Sequence, residues 1–201
     1  MRNKLLLILL AVIVIVVSGL AIYQFKFKHS IEDDLNKLRS MKSYSTDVSY
    51  TFKNYRTEFK EEGKQYYNEK YGMKLNVGDK EQIYKEDKIF IRYPKDNKSY
   101  EVSPDYDNFY RYTFVNELNK FLVPGENTKY KYDTHEGKKC IVVEFENLNG
   151  NENMSKEILF VDASKLVPLE INIFNKKGDD KVTVYFKNFS TSGTVQKEIF
   201  D

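Results

Sequence analysis

The residues able to do chemistry are few. The chain has two histidines, His29 and His135, and a single cysteine, Cys140. His135-Glu136-Gly137 is not a zincin motif, which needs a second histidine one helical turn later. No His, Cys and carboxylate side chains recur at ligand spacing, so the sequence predicts neither a metal nor a cofactor. Asp33-Asp34 and Asp179-Asp180 are adjacent carboxylates. At a helix start and in a loop, such pairs are expected to be solvated rather than acid–base machinery. Nucleophile elbows, dinucleotide loops and phosphate-binding loops are all lacking. Cys140 opens the apolar run Cys140-Ile141-Val142-Val143, has no disulfide partner, and is expected to be buried. The sequence thus points away from catalysis. The remaining enzymatic reading is a hydrolase whose Ser, Lys or carboxylate groups are dispersed along the chain.

Aromatics offer a second kind of chemistry, that of surfaces. Tyr100, Tyr106, Phe109, Tyr110, Tyr112 and Phe114 form a dense group. They suit an apolar cleft or a protein-binding face, and equally a set packed partly on a sheet and left partly exposed.

Charge narrows the choice of partner. Arg2 and Lys4 precede a hydrophobic segment, leaving 30 basic and 30 acidic residues after it. That balance argues against nucleic acid, whose binding needs clustered basic groups. Leu5 to Ile22, including Leu10, Val14 and Val17, is free of charge. As a helix it would span about 27 Å, close to a hydrocarbon core of about 30 Å. Two readings fit: an uncleaved membrane anchor with its N-terminus in the cytoplasm, or a signal peptide cleaved after Ala21. Either exports the rest. The expected organisation is residues 1–27 as membrane anchor or signal and 28–201 as an extracytoplasmic β-rich domain, single-pass if uncleaved.

Within that domain the elements alternate in a readable way. Ser30 caps a helix carrying Ile31, Leu35, Leu38 and Met41 on one stripe. From Tyr44 the period becomes two, with Val48, Tyr50 and Phe52 on one side. Further strands are expected at 56–67, 72–77, 82–84, 88–93 and 98–102. Ser103-Pro104 then predicts a second helix over 105–122, with Phe114, Leu118, Phe121 and Leu122 inward. Strands at 129–134, 138–146, 157–161, 168–175 and 181–188 complete the chain, with Asn147 to Asn153 a surface loop. Hairpins in series with few helices give an α+β meander.

Several stretches carry a resemblance: Gly63-Lys64-Gln65-Tyr66-Tyr67, Ile89-Phe90-Ile91-Arg92-Tyr93-Pro94, the Val161-Asp162 to Leu166-Val167-Pro168-Leu169 step, and Val182-Thr183-Val184-Tyr185-Phe186-Lys187-Asn188-Phe189. Together with the order of elements they resemble the lipoprotein-carrier (LolA/LolB) fold class and, within it, the clostridial germination proteins of the GerS type. The resemblance implies an antiparallel sheet curved into an incomplete β-barrel covered by helices, at the forespore membrane. It also implies a non-catalytic role, assisting a cortex-modifying N-acetylmuramoyl-alanine amidase by direct binding. The lipobox cysteine of GerS is missing, which points to a related protein with a peptide anchor. Two functions follow as expectations. One is a module that binds an exported protein partner, a cell-wall amidase, with edge strands as docking sites or as a route to a homodimer. The other is a carrier or sensor of lipid acyl chains, using an apolar concave face made by Val143, Phe145, Ile171, Ile173, Val184 and Phe186. An ordinary packed core would use the same six residues.

Overall fold

A computed structural model describes residues 30–54, 56–107, 109–119, 121–123, 125, 128–146, 151–191, 193 and 195–201. The proposed anchor residues Leu5, Leu10, Val14, Val17 and Ile22 lie outside these, as do residues 147–150 of the expected loop. Among the described residues no helix is long and apolar enough to cross a membrane.

Residues Ile31–Asp201 form one compact unit. It opens with helix α1 (Ile31–Arg39), whose first turn carries Glu32, Asp33 and Asp34 and whose last turn carries Lys37 and Arg39, as the helix dipole favours. Leu35 and Leu38 are buried on its apolar stripe. The strands follow: β1 (Ser43–Lys53), β2 (Glu58–Asn68), β3 (Gly72–Val77), β4 (Lys80–Tyr84), β5 (Ile89–Tyr93), β6 (Lys98–Val102), β7 (Thr128–His135), β8 (Lys138–Glu146), β9 (Lys156–Asp162), β10 (Pro168–Phe174) and β11 (Asp180–Ser190). All eleven lie in one antiparallel sheet in the order β6-β5-β4-β3-β2-β1-β11-β10-β9-β8-β7. Two meanders, β1 to β6 and β7 to β11, are therefore stitched together by the long β1–β11 pair. The sheet is not closed: β6 and β7 are its edges.

Period-two alternation decides which face is covered. Val48 sits opposite Phe186, Tyr50 opposite Val184 and Phe52 opposite Val182. Ile171 and Ile173 continue those rows on β10, then Leu159 on β9 and Val143 on β8. These side chains join Leu35 and Leu38 of α1, and Phe114, Val115, Leu118 and Leu122, in a single core. Gly63 lies in the same layer, where a Cβ would meet the Asn76 carbonyl oxygen at 2.6 Å, so β2 and β3 can lie this close only with glycine there. On the other face, the C-terminal 3₁₀ turn Lys197–Phe200 packs against β3, with the Phe200 ring 6.1 Å from that of Tyr71.

The second expected helix is corrected. The described residues of 104–122 contain two 3₁₀ turns, Pro104–Tyr106 and Tyr110–Thr113, and only a short helix α2 (Val115–Leu118). The cause is Asp107. Its carboxylate accepts the backbone N–H groups of Phe109 and Tyr110 at 2.9 Å and of Arg111 at 3.0 Å, donors that a continuous helix would have used. Phe114 then takes an extended backbone (φ −76°, ψ 135°) that drops its ring into the core. The inward residues were nonetheless those the sequence pointed to: Phe114, Leu118 and Leu122 are buried, and Phe121 stacks on Phe145 with ring centres 4.9 Å apart.

Candidate functional site

The covered face of the sheet holds polar groups as well as apolar ones, and they face the 107–115 segment. Tyr44 on β1 accepts the Val115 N–H at 3.0 Å. Tyr50, further along the same face, meets Thr113 Oγ1 at 3.2 Å. Gln65 on β2 donates to both that hydroxyl (3.1 Å) and Thr113 Oγ1 (2.9 Å). Tyr84 on β4 donates to the Asp107 carboxylate, and Tyr110 donates to Glu61 on β2. Burial pushes the phenols of Tyr44, Tyr50 and Tyr84 above the ordinary tyrosine value of 10.0, and the nearby Asp107 charge adds to this at Tyr84. All three stay protonated and act as fixed hydrogen-bonding posts. Nothing in this network resembles a nucleophile beside a base; it holds an irregular segment in place.

The six proposed concave-face residues, Val143, Phe145, Ile171, Ile173, Val184 and Phe186, are brought together as one patch, at most 6% exposed. They pack in the same core as α1 and the 114–122 stretch. An apolar groove that reaches solvent lies elsewhere, at the end of β1. It has a volume of about 400 Å³ and is walled by Phe52, Phe59, Phe109, Met154 and Val182, with Lys53, Asn54, Asn151, Asn153 and Lys181 at its rim. Phe52 and Phe59 stack there at 4.6 Å, and Phe59 is 52% exposed. None of the six residues lines this groove.

The carboxylate pairs behave unequally. Asp34 is buried, takes a hydrogen bond from Tyr132 OH at 3.3 Å and pairs with Lys37 at 3.4 Å, so the expectation that it would be solvated is corrected. Its position in the α1 first turn faces β7, and that contact removes it from water. Asp180 pairs with Lys53, and Asp179 accepts from Asn175 Nδ2 at 2.9 Å in the β10–β11 turn. Cys140 is fully buried, and burial raises its thiol above the ordinary value. One grouping went unanticipated: His135, Glu136 and Glu170 come together although Glu170 is remote in sequence. No sequence signal could have found it, because Glu170 stands at an outward strand position and periodicity cannot reveal burial there.

The two sheet edges differ. β7 is tied to α1 through Tyr130 OH to Glu32 (2.7 Å) and Tyr132 OH to Asp34. Strand β6 pairs with β5 alone, and Lys98, Ser99, Tyr100 and Glu101 are all exposed along it. Tyr100 is 52% and the following Tyr106 59% exposed, while Tyr93 meets Tyr100 edge-on at 6.3 Å. The aromatic group noted in the sequence is therefore divided, with Phe114 buried, Phe109, Tyr110 and Tyr112 against the core, and Tyr100 and Tyr106 facing water.

The architecture is an open antiparallel sheet with one face filled by a helix and an irregular strap. An uncharacterised conserved protein from Thermus thermophilus shares it at a TM-score of 0.54 and 8% identity, over 84% of this chain and 88% of that one, a likeness of fold alone. Residues 2–200 match the model of the family described as "Sporulation protein YdcC-like", and the chain belongs to that family. Other similar structures include a chain from the complex of the CwlD amidase with the GerS lipoprotein of Clostridioides difficile (23% identity, 81% of this chain, 96% of that one, TM-score 0.48). A lipoprotein-sorting protein domain from Vibrio parahaemolyticus is also among them (11% identity, 84% and 95%, TM-score 0.48). No curated protein matches the sequence.

Proposed function

We propose that this chain is a non-catalytic docking module of spore formation, anchored by the 5–22 segment on the outer side of a membrane, whose sheet curves as an incomplete barrel. It binds an exported protein partner along strand β6. The observation that carries this reading is β6 itself, an edge strand exposed along four of its five residues and bearing Tyr100, with Tyr106 beside it. Unpaired backbone groups on such an edge accept a further strand, and half-exposed tyrosines are the side chains most used as anchors in interfaces. Lys98 and Glu101 on the same edge discourage indiscriminate pairing. Membership in a sporulation family supports the setting. The choice of a cell-wall amidase as partner rests on the sequence resemblance to the GerS-type proteins.

A second reading, a carrier or sensor of acyl chains, is favoured by the Phe52–Phe59–Phe109 groove, which is apolar and open. Affinity capture of the tagged chain from sporulating cells, with mass spectrometry of proteins and lipids together, separates the two. Recovery of an amidase without lipid supports docking. Stoichiometric lipid without a protein partner overturns docking and favours the carrier.

A further inference from the structure

His135 closes the edge strand β7, yet its imidazole reaches β10. In the sheet order β8 and β9 lie between them, a separation of about 14 Å at ordinary strand spacing. The tip of the β7–β8 hairpin bridges it by turning over the sheet face opposite α1. Glu136 (φ 48°) and Gly137 (φ 76°) form its two-residue turn, both in the left-handed region that such tight hairpins require. Beneath the tip, Val142, Phe160, Glu170 and Tyr185 stand in one row across β8 to β11. The His135 ring stacks on Phe160 at 3.9 Å between centres and 21° between planes, and its Nε2 lies 2.8 Å from Glu170 Oε2.

These contacts fix each member separately. Phe160 sets the plane of the imidazole. Glu170, only 5% exposed, is held from behind by Asn172 Nδ2 at 2.7 Å, and Asn172 Oδ1 in turn accepts from Thr183 Oγ1 at 2.9 Å. Glu136 comes with the turn and leaves the outer side open to water. One nitrogen and one carboxylate oxygen from each glutamate fall within 4.8 Å of one another. Ligands around a tetrahedral zinc ion lie about 3.4 Å apart at bond lengths of about 2.0–2.1 Å, so the 2.8 Å His135–Glu170 pair must open by roughly 0.6 Å and the exposed Glu136 side chain swing inward to complete the set.

We propose that His135, Glu136 and Glu170 form a binding site for a divalent transition-metal cation, with zinc the ion that the ligands fit. An imidazole with two carboxylates and room for water suits zinc, whereas magnesium and calcium sites are built from oxygen alone. Asn172 supplies the outer hydrogen bond that orients a ligating carboxylate. The bound ion would clamp the hairpin tip of the edge strand to the middle of the β7–β11 meander.

The test uses the full chain in detergent, stripped with chelator and dialysed against zinc chloride, with retained metal counted by mass spectrometry. The expected result is one zinc per chain, retained in His29→Gln. His135→Gln and Glu170→Gln should each weaken binding by more than about tenfold, a loss that even an outer-layer partner can produce. In the unaltered chain labelled with ¹⁵N-histidine, zinc should shift the ring nitrogens of His135. Failure of the unaltered chain to take up zinc overturns the proposal, as does uptake that survives His135→Gln or that shifts His29 alone. The unaltered chain is decisive by itself, so a variant that fails to fold leaves the test intact.

Discussion

Tyr44, Tyr50 and Tyr84 project from strands but spend their hydroxyls on a segment that is neither strand nor regular helix. Removing the hydroxyl of Tyr44 leaves the buried Val115 N–H without its acceptor, so Tyr44→Phe should cost about 1–3 kcal/mol in urea unfolding. The three phenols also set an alkaline limit. Their folded values lie above the unfolded 10.0, so the folded chain retains protons that the unfolded chain gives up. The stabilisation is whole below pH 10 and is lost as pH rises beyond it. Unfolding monitored from pH 8 to 12 should show that fall, and Tyr44→Phe should flatten it. Asp162 works in the opposite sense. Burial opposes its charge, but Ser164 Oγ at 2.6 Å and the N–H groups of Ser164 and Lys165 at 2.8 and 3.0 Å hold its carboxyl below the usual 3.8. Its contribution is present above about pH 4 and is lost as pH falls through the depressed value. Asp162→Asn should therefore cost about 1–2 kcal/mol at pH 7 and progressively less in acid.

At the scale of elements, the 107–115 strap carries the most information about what a sequence can reveal. Alternation in Val48-Ser49-Tyr50-Thr51-Phe52 made β1 legible, and hairpin signals such as Glu136-Gly137 set the strand order, because both are local. Strand bounds fell within a few residues of those expected. Ser103-Pro104 looked like a helix start and does begin a turn, with Ser103 Oγ accepting from the Asp105 N–H. What stopped the helix was Asp107 taking the N–H groups of Phe109, Tyr110 and Arg111, with Tyr84 bonded to the same carboxylate, together with the inward turn of Phe114. The Tyr84 contact and that turn are not visible in a linear pattern. The six candidate face residues were legible as inward-facing for the same local reason. That α1 and the strap pack upon them was not, since a cavity liner and a core residue have the same period. The strap depends on Asp107 accepting three N–H groups. Asp107→Ala should lower stability by about 2–3 kcal/mol and raise amide exchange at Phe109, Tyr110 and Arg111 before the strands.

On the scale of the whole molecule, one face of the sheet is filled and the sheet ends in two edges: β7, whose tyrosine hydroxyls bond to α1, and β6, exposed along four of its five residues. The charge balance that argued against nucleic acid, and the aromatic group that pointed to a surface, were both readable in the sequence. Which of those rings would face water was not, because it depends on β6 ending the sheet. Docking along β6 is tested most directly by placing a photo-crosslinking phenylalanine analogue at Tyr100, or at Lys187 on the opposite sheet face, in sporulating cells. The account predicts a covalent adduct between position 100 and a cell-wall amidase, with little from position 187. Adducts to lipid alone from position 100, or to the amidase only from position 187, would contradict it.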